Sequence, residues 1–282
     1  MQARILKTLC LGALCALAAI GQNPEGYLDV YIAKVKPEKR AEFDAINKKM
    51  VELNRRNKGD YWLAAESMYG EMNTVYFTSQ RQNYADVEKG FDAFMAALAK
   101  PAGAAGAAKM FQDFNNTIIS SRAELRRRRF DLSSTAGADA ASVLKLVSQS
   151  RFIRTTMVRV RPGRLGDYQE QLRVIKAAQE KAHAPQVVLV SQSAVGTPGT
   201  VFYVSQLGKS LADFDTAANQ SLPQTLGQDG FQKYVRTLAE SVLSQETIIN
   251  RYLPELSNPP QEIVSANPDF WKPKPAPKTK TD

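Results

Sequence analysis

Val35-Lys36-Pro37 and Val160-Arg161-Pro162 are one phrase written twice, 125 residues apart. Each closes an apolar run, Tyr27 to Lys36 in the first copy and Phe152 to Arg161 in the second, and each opens a charged stretch with helical spacing. Proline has no N–H to give to a sheet ladder, and its fixed φ suits the first turn of a helix. Both phrases therefore read as a strand passing directly into a helix.

Working outward from the first copy, Leu28, Val30 and Ile32 alternate with Tyr31, Ala33 and Val35. Apolar residues on both faces predict a strand covered on two sides. Phe43, Ile46, Met50 and Leu53 then recur at spacings of three and four, giving an amphipathic helix that ends at Asn57-Lys58-Gly59-Asp60. Tyr61 to Met68 and Thr74 to Thr78 read as a hairpin. A second helix starts near Tyr84 with Val87, Phe91, Phe94, Met95 and Leu98 in its stripe. Pro101 to Gly106 predicts an interruption, after which Phe111, Phe114 and Ile118 resume the spacing. Ala123 to Leu132 is the last strand and contains Arg126-Arg127-Arg128-Arg129. The order is the ferredoxin-like βαββαβ plan.

The second copy repeats it, with a hairpin over 187–192 and 200–204, a helix break at Pro223 and a closing strand from Glu246 to Leu253. Thr74-Val75-Tyr76-Phe77 aligns with Thr200-Val201-Phe202-Tyr203, Phe111 and Phe114 with Phe231 and Tyr234, and Arg129-Phe130 with Arg251-Tyr252. A fixed period with matching order marks an internal duplication. The expected organisation is two ferredoxin-like units, 22–132 and 151–257, a small-residue linker at 133–150 and a Pro/Lys-rich disordered tail at 258–282.

Each unit resembles the dimeric α+β barrel superfamily, which includes antibiotic-biosynthesis-type monooxygenases and NIPSNAP-like proteins. The likeness is carried by Val35-Lys36-Pro37 to Phe43 and by Val160-Arg161-Pro162-Gly163 to Tyr168, and spans about residues 25 to 256. It implies an α+β fold in which the tandem units form one intramolecular pseudo-dimer. One face of each sheet would meet helices and the other the partner sheet.

Residues 1–21 read as a cleaved signal peptide. Arg4 and Lys7 precede an apolar run from Thr8 to Ile20 that is short for a bilayer span, and Ala19 and Gly21 are small residues at the cleavage subsites. The expectation is a secreted or periplasmic protein with no stable membrane insertion after cleavage. Both cysteines, Cys10 and Cys15, would leave with the signal, so no disulfide or cysteine-bound metal is expected. Removal of Arg4 and Lys7 lowers the formal charge from +9 to +7. That surplus gathers on no one element, which argues against nucleic-acid binding.

The catalytic inventory is sparse. The one histidine, His183, ends a helix, where imidazole can sit near the last carbonyls; haem ligation, as the resemblance to chlorite dismutase-type barrels implies, is the alternative. No catalytic residue, metal site or cofactor is assigned. In the arginine run, alternate residues face opposite ways, so Arg126 and Arg128 share a face. If that face is the barrel interior, they would join Lys34 and Arg159 in an anion-binding cavity, with Trp62 and Tyr76 as aromatic lining; at a frayed rim they would simply meet water. Tyr61 and Tyr203 are further aromatic candidates, with core packing as the plainer role. The leading expectation is an exported, cofactor-free barrel binding a small molecule or a protein partner, as a monomer or homodimer. A monooxygenase-like enzyme on a lipophilic or aromatic substrate is second, and a haem protein third.

Overall fold

The computed structural model describes residues 26–135, 139–184, 186–219 and 222–272. The expected signal peptide and the tail from 273 on lie outside them. The first unit runs β1 (Tyr27–Val35), α1 (Arg40–Asn57), β2 (Leu63–Tyr69), β3 (Thr74–Arg81), α2 (Tyr84–Asn116) and β4 (Ile118–Arg128). After α3 (Ala140–Gln149), the second unit runs β5 (Phe152–Val160), α4 (Leu165–Lys181), β6 (Val188–Val195), β7 (Thr200–Gly208), α5 (Ala212–Asn219), α6 (Leu222–Ser241) and β8 (Val242–Tyr252). Two short helices follow, α7 (Gln261–Ala266) and α8 (Pro268–Trp271). Among the described residues no helix is long and apolar enough to cross a membrane.

The eight strands close into one antiparallel barrel in the order β1-β3-β2-β8-β5-β7-β6-β4. Each unit contributes a ferredoxin-like sheet, and each pairs its two edges with the other: β2 with β8, β4 with β6. The helices lie outside. Tyr31, Ala33 and Val35 of β1 pack under α1 and α2 with Phe43, Met50 and Phe114, and Val158 and Val160 of β5 pack under α4 with Tyr168 and Leu172. Period-two alternation therefore sends Leu28, Val30, Ile153, Thr155 and Met157 into the barrel.

The repeated phrase coincides with a repeated irregularity. The register of β1 against β4 shifts between Lys34 and Val35, and that of β5 against β8 shifts between Arg159 and Val160. A bulge at the same step of both copies bends each first strand just before its helix. The helix breaks are duplicated too, at Gly103 (φ 67°, ψ −176°) and Gly227 (φ 71°, ψ 171°), conformations that L residues rarely adopt. Pro101 does not make its break, since α2 continues through it and the chain turns two residues later, whereas Pro223 lies in the first turn of α6, which starts at Leu222 after α5 ends at Asn219.

Two sequence alignments and the starts of two strands differ from expectation. Lys34 pairs with Thr74 while Arg159 pairs with Val201, so Thr74 corresponds to Val201 and Tyr76 to Tyr203, one residue away from the alignment by letters. A one-residue slip moves a side chain to the opposite face, so the correction decides which aromatics enter the barrel. Leu28 pairs with Arg126 and Ile153 with Asn250, which sets Arg128 against Tyr252 and unhooks Arg129 from Arg251. β4 and β8 also begin at Ile118 and Val242, several residues before the expected Ala123 and Glu246. Their first residues pair with β1 and β5 while exposing Ser120, Ser121 and Ser244, so they lack the apolar alternation of a strand.

The unit boundaries move as well. Ser133 and Ser134, expected in the linker, and Ser257 and Asn258, at the expected tail boundary, extend the two inter-unit seams. Ser134 bridges Val188 and Asn258 bridges Trp62. The Ser133 hydroxyl accepts from the Val190 N–H at 2.9 Å and donates to the Arg129 carbonyl; Ser257 does the same with Ala64 and Leu253, at 2.8 Å each. Leu132 and Leu256 are buried just before these serines. Beyond them, 261–271 is packed: Trp271 is 0% exposed, lies edge-on to Tyr252, and donates its indole N–H to the Ser148 carbonyl at 2.8 Å. Ile263, Val264 and Trp271 carry enough apolar area to outweigh the ordering cost of the segment, a resource the Pro/Lys stretch lacks. They lie with α3, whose Val143 and Val147 in turn reach the barrel interior.

Replacing Ser257 by Ala leaves the Ala64 N–H buried without its acceptor. We predict a loss of about 2 kcal/mol in urea unfolding, with a comparable loss for Ser133→Ala at the opposite seam.

Candidate functional site

Two cavities flank the first unit's sheet. The larger, about 450 Å³, lies between the outer face of β1 and β3 and the helices α1 and α2. β1 presents Asp29 and Tyr31, β3 presents Phe77, Ser79 and Arg81, and α2 closes over them with Phe94, Phe111 and Phe114. Phe94 meets Trp62 edge-on at 5.6 Å and Phe111 at 5.9 Å, while Phe114 lies 6.1 Å from Tyr31. Phe91, 59% exposed, stands at the mouth.

One end of this aromatic space is charged. The Arg81 guanidinium, buried, donates to both Asp60 carboxylate oxygens at 2.7 and 2.5 Å and to Asp29 at 3.3 Å. The fork geometry suits a bidentate carboxylate pair. Gly90 on α2 makes room for it, since a Cβ there would fall 2.3–2.6 Å from the guanidinium atoms. Burial pushes the Asp29 carboxyl above its ordinary pKa, against the pull of Arg81. Burial alone would weaken the charge on Arg81, but Asp60 and Asp29 offset it and hold the guanidinium firmly protonated. Asp60 is fixed by its neighbours: its N–H donates to Asn54 Oδ1 at 3.1 Å, and its carbonyl accepts from Asn258 Nδ2 at 2.7 Å.

The expected site residues divide between places. Tyr76, Arg126 and Arg128 do line the barrel interior, in a cavity of about 190 Å³. Lys34 and Arg159 share that strand face but lie at the rim, where turn groups engage them: Lys34 meets the Met72 carbonyl at 2.6 Å and Glu71 at 3.0 Å, and Arg159 donates to the Pro198 carbonyl. They do not join the arginines in an interior cluster, because the strands end before those side chains can turn inward. Trp62 faces outward, on the helix side, with its indole N–H on the Leu256 carbonyl at 2.8 Å; it lines the larger pocket instead. Tyr61 is half exposed and lines neither cavity, whereas Tyr203 is buried in the interior.

Asp29, Asp60, Arg81 and Phe77 were not singled out by sequence. The legible signal was Asp29, a carboxylate on the otherwise apolar helix-facing side of Tyr27–Val35. Among the described residues the second unit has no counterpart to this cluster. The register sets Arg154 opposite Asp29's place and Gly208 at that of Arg81, while Thr156 and Val204 replace Tyr31 and Phe77. His183 is exposed beyond α4, at φ 49°, and lines neither cavity; Tyr168, Leu172 and Phe202 fill the space under α4. These residues do not fit a haem site. Among the described residues no cluster of His, Cys, Asp or Glu could hold a metal ion.

The register and the closed sheet define a fused dimeric α+β barrel built from two ferredoxin-like units. No protein-family model matches the chain, and no curated protein does. Solved structures do. An anthrone oxidase-like protein superposes with a TM-score of 0.52 at 12% identity, over 83% of this chain and 94% of its own. A provisionally named monooxygenase from Fusobacterium nucleatum gives 0.50 at 10% identity, over 81% and 93%. Chlorite dismutase from Candidatus Nitrospira defluvii gives 0.44 at 10% identity, over 85% and 94%. At these identities the likeness establishes the fold and no activity.

Removing Arg81 strands two carboxylates together in a half-closed pocket. Arg81→Met should cost about 3 kcal/mol in chemical denaturation, and Asp60→Asn in the same background should recover part of that loss.

Proposed function

We propose that this is an exported protein that binds a lipophilic aromatic small molecule in the helix–sheet pocket of its first unit. The observation that carries the reading is the pocket itself: about 450 Å³ walled by Tyr31, Trp62, Phe77, Phe94, Phe111 and Phe114, with one polar end at Asp29, Asp60 and Arg81. Mostly apolar walls with a few convergent polar groups are the usual design of a small-molecule site. A flat aromatic ligand would stack on the rings and turn its hydroxyl or carbonyl toward the charged end. The basic start and apolar run of residues 1–21 support export. Pairing of every unit edge within the chain supports a monomer.

A second reading, oxygenation of that ligand without a cofactor, is favoured by Asp29. Its half-buried carboxyl, with a raised pKa, is the residue type that takes a proton from an activated carbon. The similarity to an anthrone oxidase-like protein and to a provisionally named monooxygenase supports the same chemistry. In such a reaction a CH₂ group and O₂ become a carbonyl and water, the substrate supplying the electrons.

1-Naphthol serves as a probe for binding. It should quench Trp62 fluorescence saturably. Val87→Phe, at the pocket mouth, should weaken binding about tenfold or more, and Trp62→Phe should remove the signal. Unsaturable quenching, or unchanged affinity in Val87→Phe, would contradict the assignment. Oxygen uptake with anthrone that is lost in Asp29→Asn would select the enzymatic reading over simple binding.

A further inference from the structure

We infer that the barrel interior is a second, separate ligand site, one that takes a small monocarboxylate of about benzoate size, with its carboxylate on Arg128. The cavity there, about 190 Å³, lies inside the barrel, and the helix–sheet pocket lies outside it, so the two are separated by the sheet itself.

The charge inventory of the interior identifies the ligand. The residues lining the cavity carry two cations, Arg126 and Arg128, and no carboxylate. Arg126 is already neutralised. Its Nε and Nη2 donate to Glu124 at 2.9 and 2.7 Å, its guanidinium lies 3.7 Å over the Tyr203 ring, and the Tyr203 hydroxyl donates to the same Glu124 at 2.8 Å. Those contacts, with Arg122, hold the Glu124 carboxyl below its ordinary range although burial works against its charge.

Arg128 is different. Its guanidinium lies 4.7 Å from the Phe130 ring, and no carboxylate among the described residues stands within ion-pair reach. Burial lowers its pKa and nothing nearby raises it again. A half-buried cation that faces a mostly apolar cavity without a counter-ion carries a desolvation cost, and one univalent anion is what would balance it. The duplication shows that this charge is not required by the fold, because the matching place in the second unit holds Tyr252.

The rest of the cavity sets the size and character of the anion. Leu28, Leu63, Ile153 and Leu207 wall it, with Val143 and Val147 of α3 at one end. Such walls disfavour a bare inorganic ion and favour a ligand with an apolar body. An apolar cavity of about 150 Å³ is known to hold benzene, so this volume accommodates a single ring with a carboxylate. Asn250 also lines it, 6% exposed, and its Oδ1 is buried without a hydrogen-bond partner. That orphaned acceptor offers a place for a hydroxyl on the ring.

The test is calorimetric and thermal-shift titration of the full chain with benzoate and, as a neutral isostere, benzamide. Benzoate should bind saturably and raise Tm, with benzamide about tenfold weaker or more. Arg128→Met should abolish the benzoate response while leaving 1-naphthol quenching of Trp62 intact. Without ligand, that variant should melt no lower than the wild type, since it loses a half-buried charge that has no counter-ion. Equal affinity for benzoate and benzamide, retained benzoate binding in Arg128→Met, or loss of benzoate binding in Val87→Phe would overturn the inference. The other tryptophan, Trp271, lies against Tyr252 of the interior cavity, so the part of the naphthol signal that Trp62→Phe removes is the part that reports on the outer pocket, and failure at one site is distinguishable from failure at the other.

Discussion

Everything in this molecule depends on two short seams that close the sheet. Within each unit the central strands pair over eight or nine residues, whereas β2 with β8 and β4 with β6 share only four paired positions each, interrupted by a register shift. An open edge would expose unpaired backbone groups. The chain completes each seam with the same device: a buried leucine, then a serine whose hydroxyl bonds across the gap, then one further bridge, at Leu132-Ser133-Ser134 and at Leu256-Ser257-Asn258. The Arg251–Glu66 ion pair adds a contact at the second seam. Because the second seam also anchors Asp60 and Trp62 through Asn258 and Leu256, barrel closure positions the helix–sheet pocket directly.

Duplication supplied two equivalent scaffolds, and their interiors have diverged. The bulge before each first helix, the glycine break in each second helix and the serine at each seam are kept, and all three are requirements of backbone geometry. The side chains that face cavities are not kept. Asp29 and Arg81 in one unit correspond by register to Arg154 and Gly208 in the other, and Arg126 and Arg128 to Asn250 and Tyr252. Geometry is shared by both copies, while chemistry is concentrated in the first unit and on its strand β4.

The architecture was legible where local physics is decisive. Proline after an alternating strand marks the β1–α1 and β5–α4 passages, and the helical spacing of Phe43 and Met50 on α1 and of Tyr168 and Leu172 on α4 finds their buried faces. Register was not legible, since a run such as Thr-Val-Tyr-Phe satisfies either alignment of the hairpins and only pairing with β1 or β5 resolves it. Alternation places Arg126 and Arg128 on one face but does not say whether that face is the interior or the rim; the pairing of β1 with β4 and β3 decides it and brings Tyr76 to the same side. The Asp60–Arg81 pair was not legible, because it joins residues 21 apart through a space that Gly90 leaves open. Composition likewise concealed the last helix, where Trp271 buries itself at the threshold of a Pro/Lys-rich stretch.

The central claim is that one of two equivalent helix–sheet spaces has become a ligand site. A crystal structure of the protein soaked with 1-naphthol tests it most directly. The account predicts ring density against Trp62 and Phe94 in the first unit, with its hydroxyl toward Asp29, and none under α4 against Tyr168 and Phe202. Density in the second unit's space, or in both equally, would contradict it.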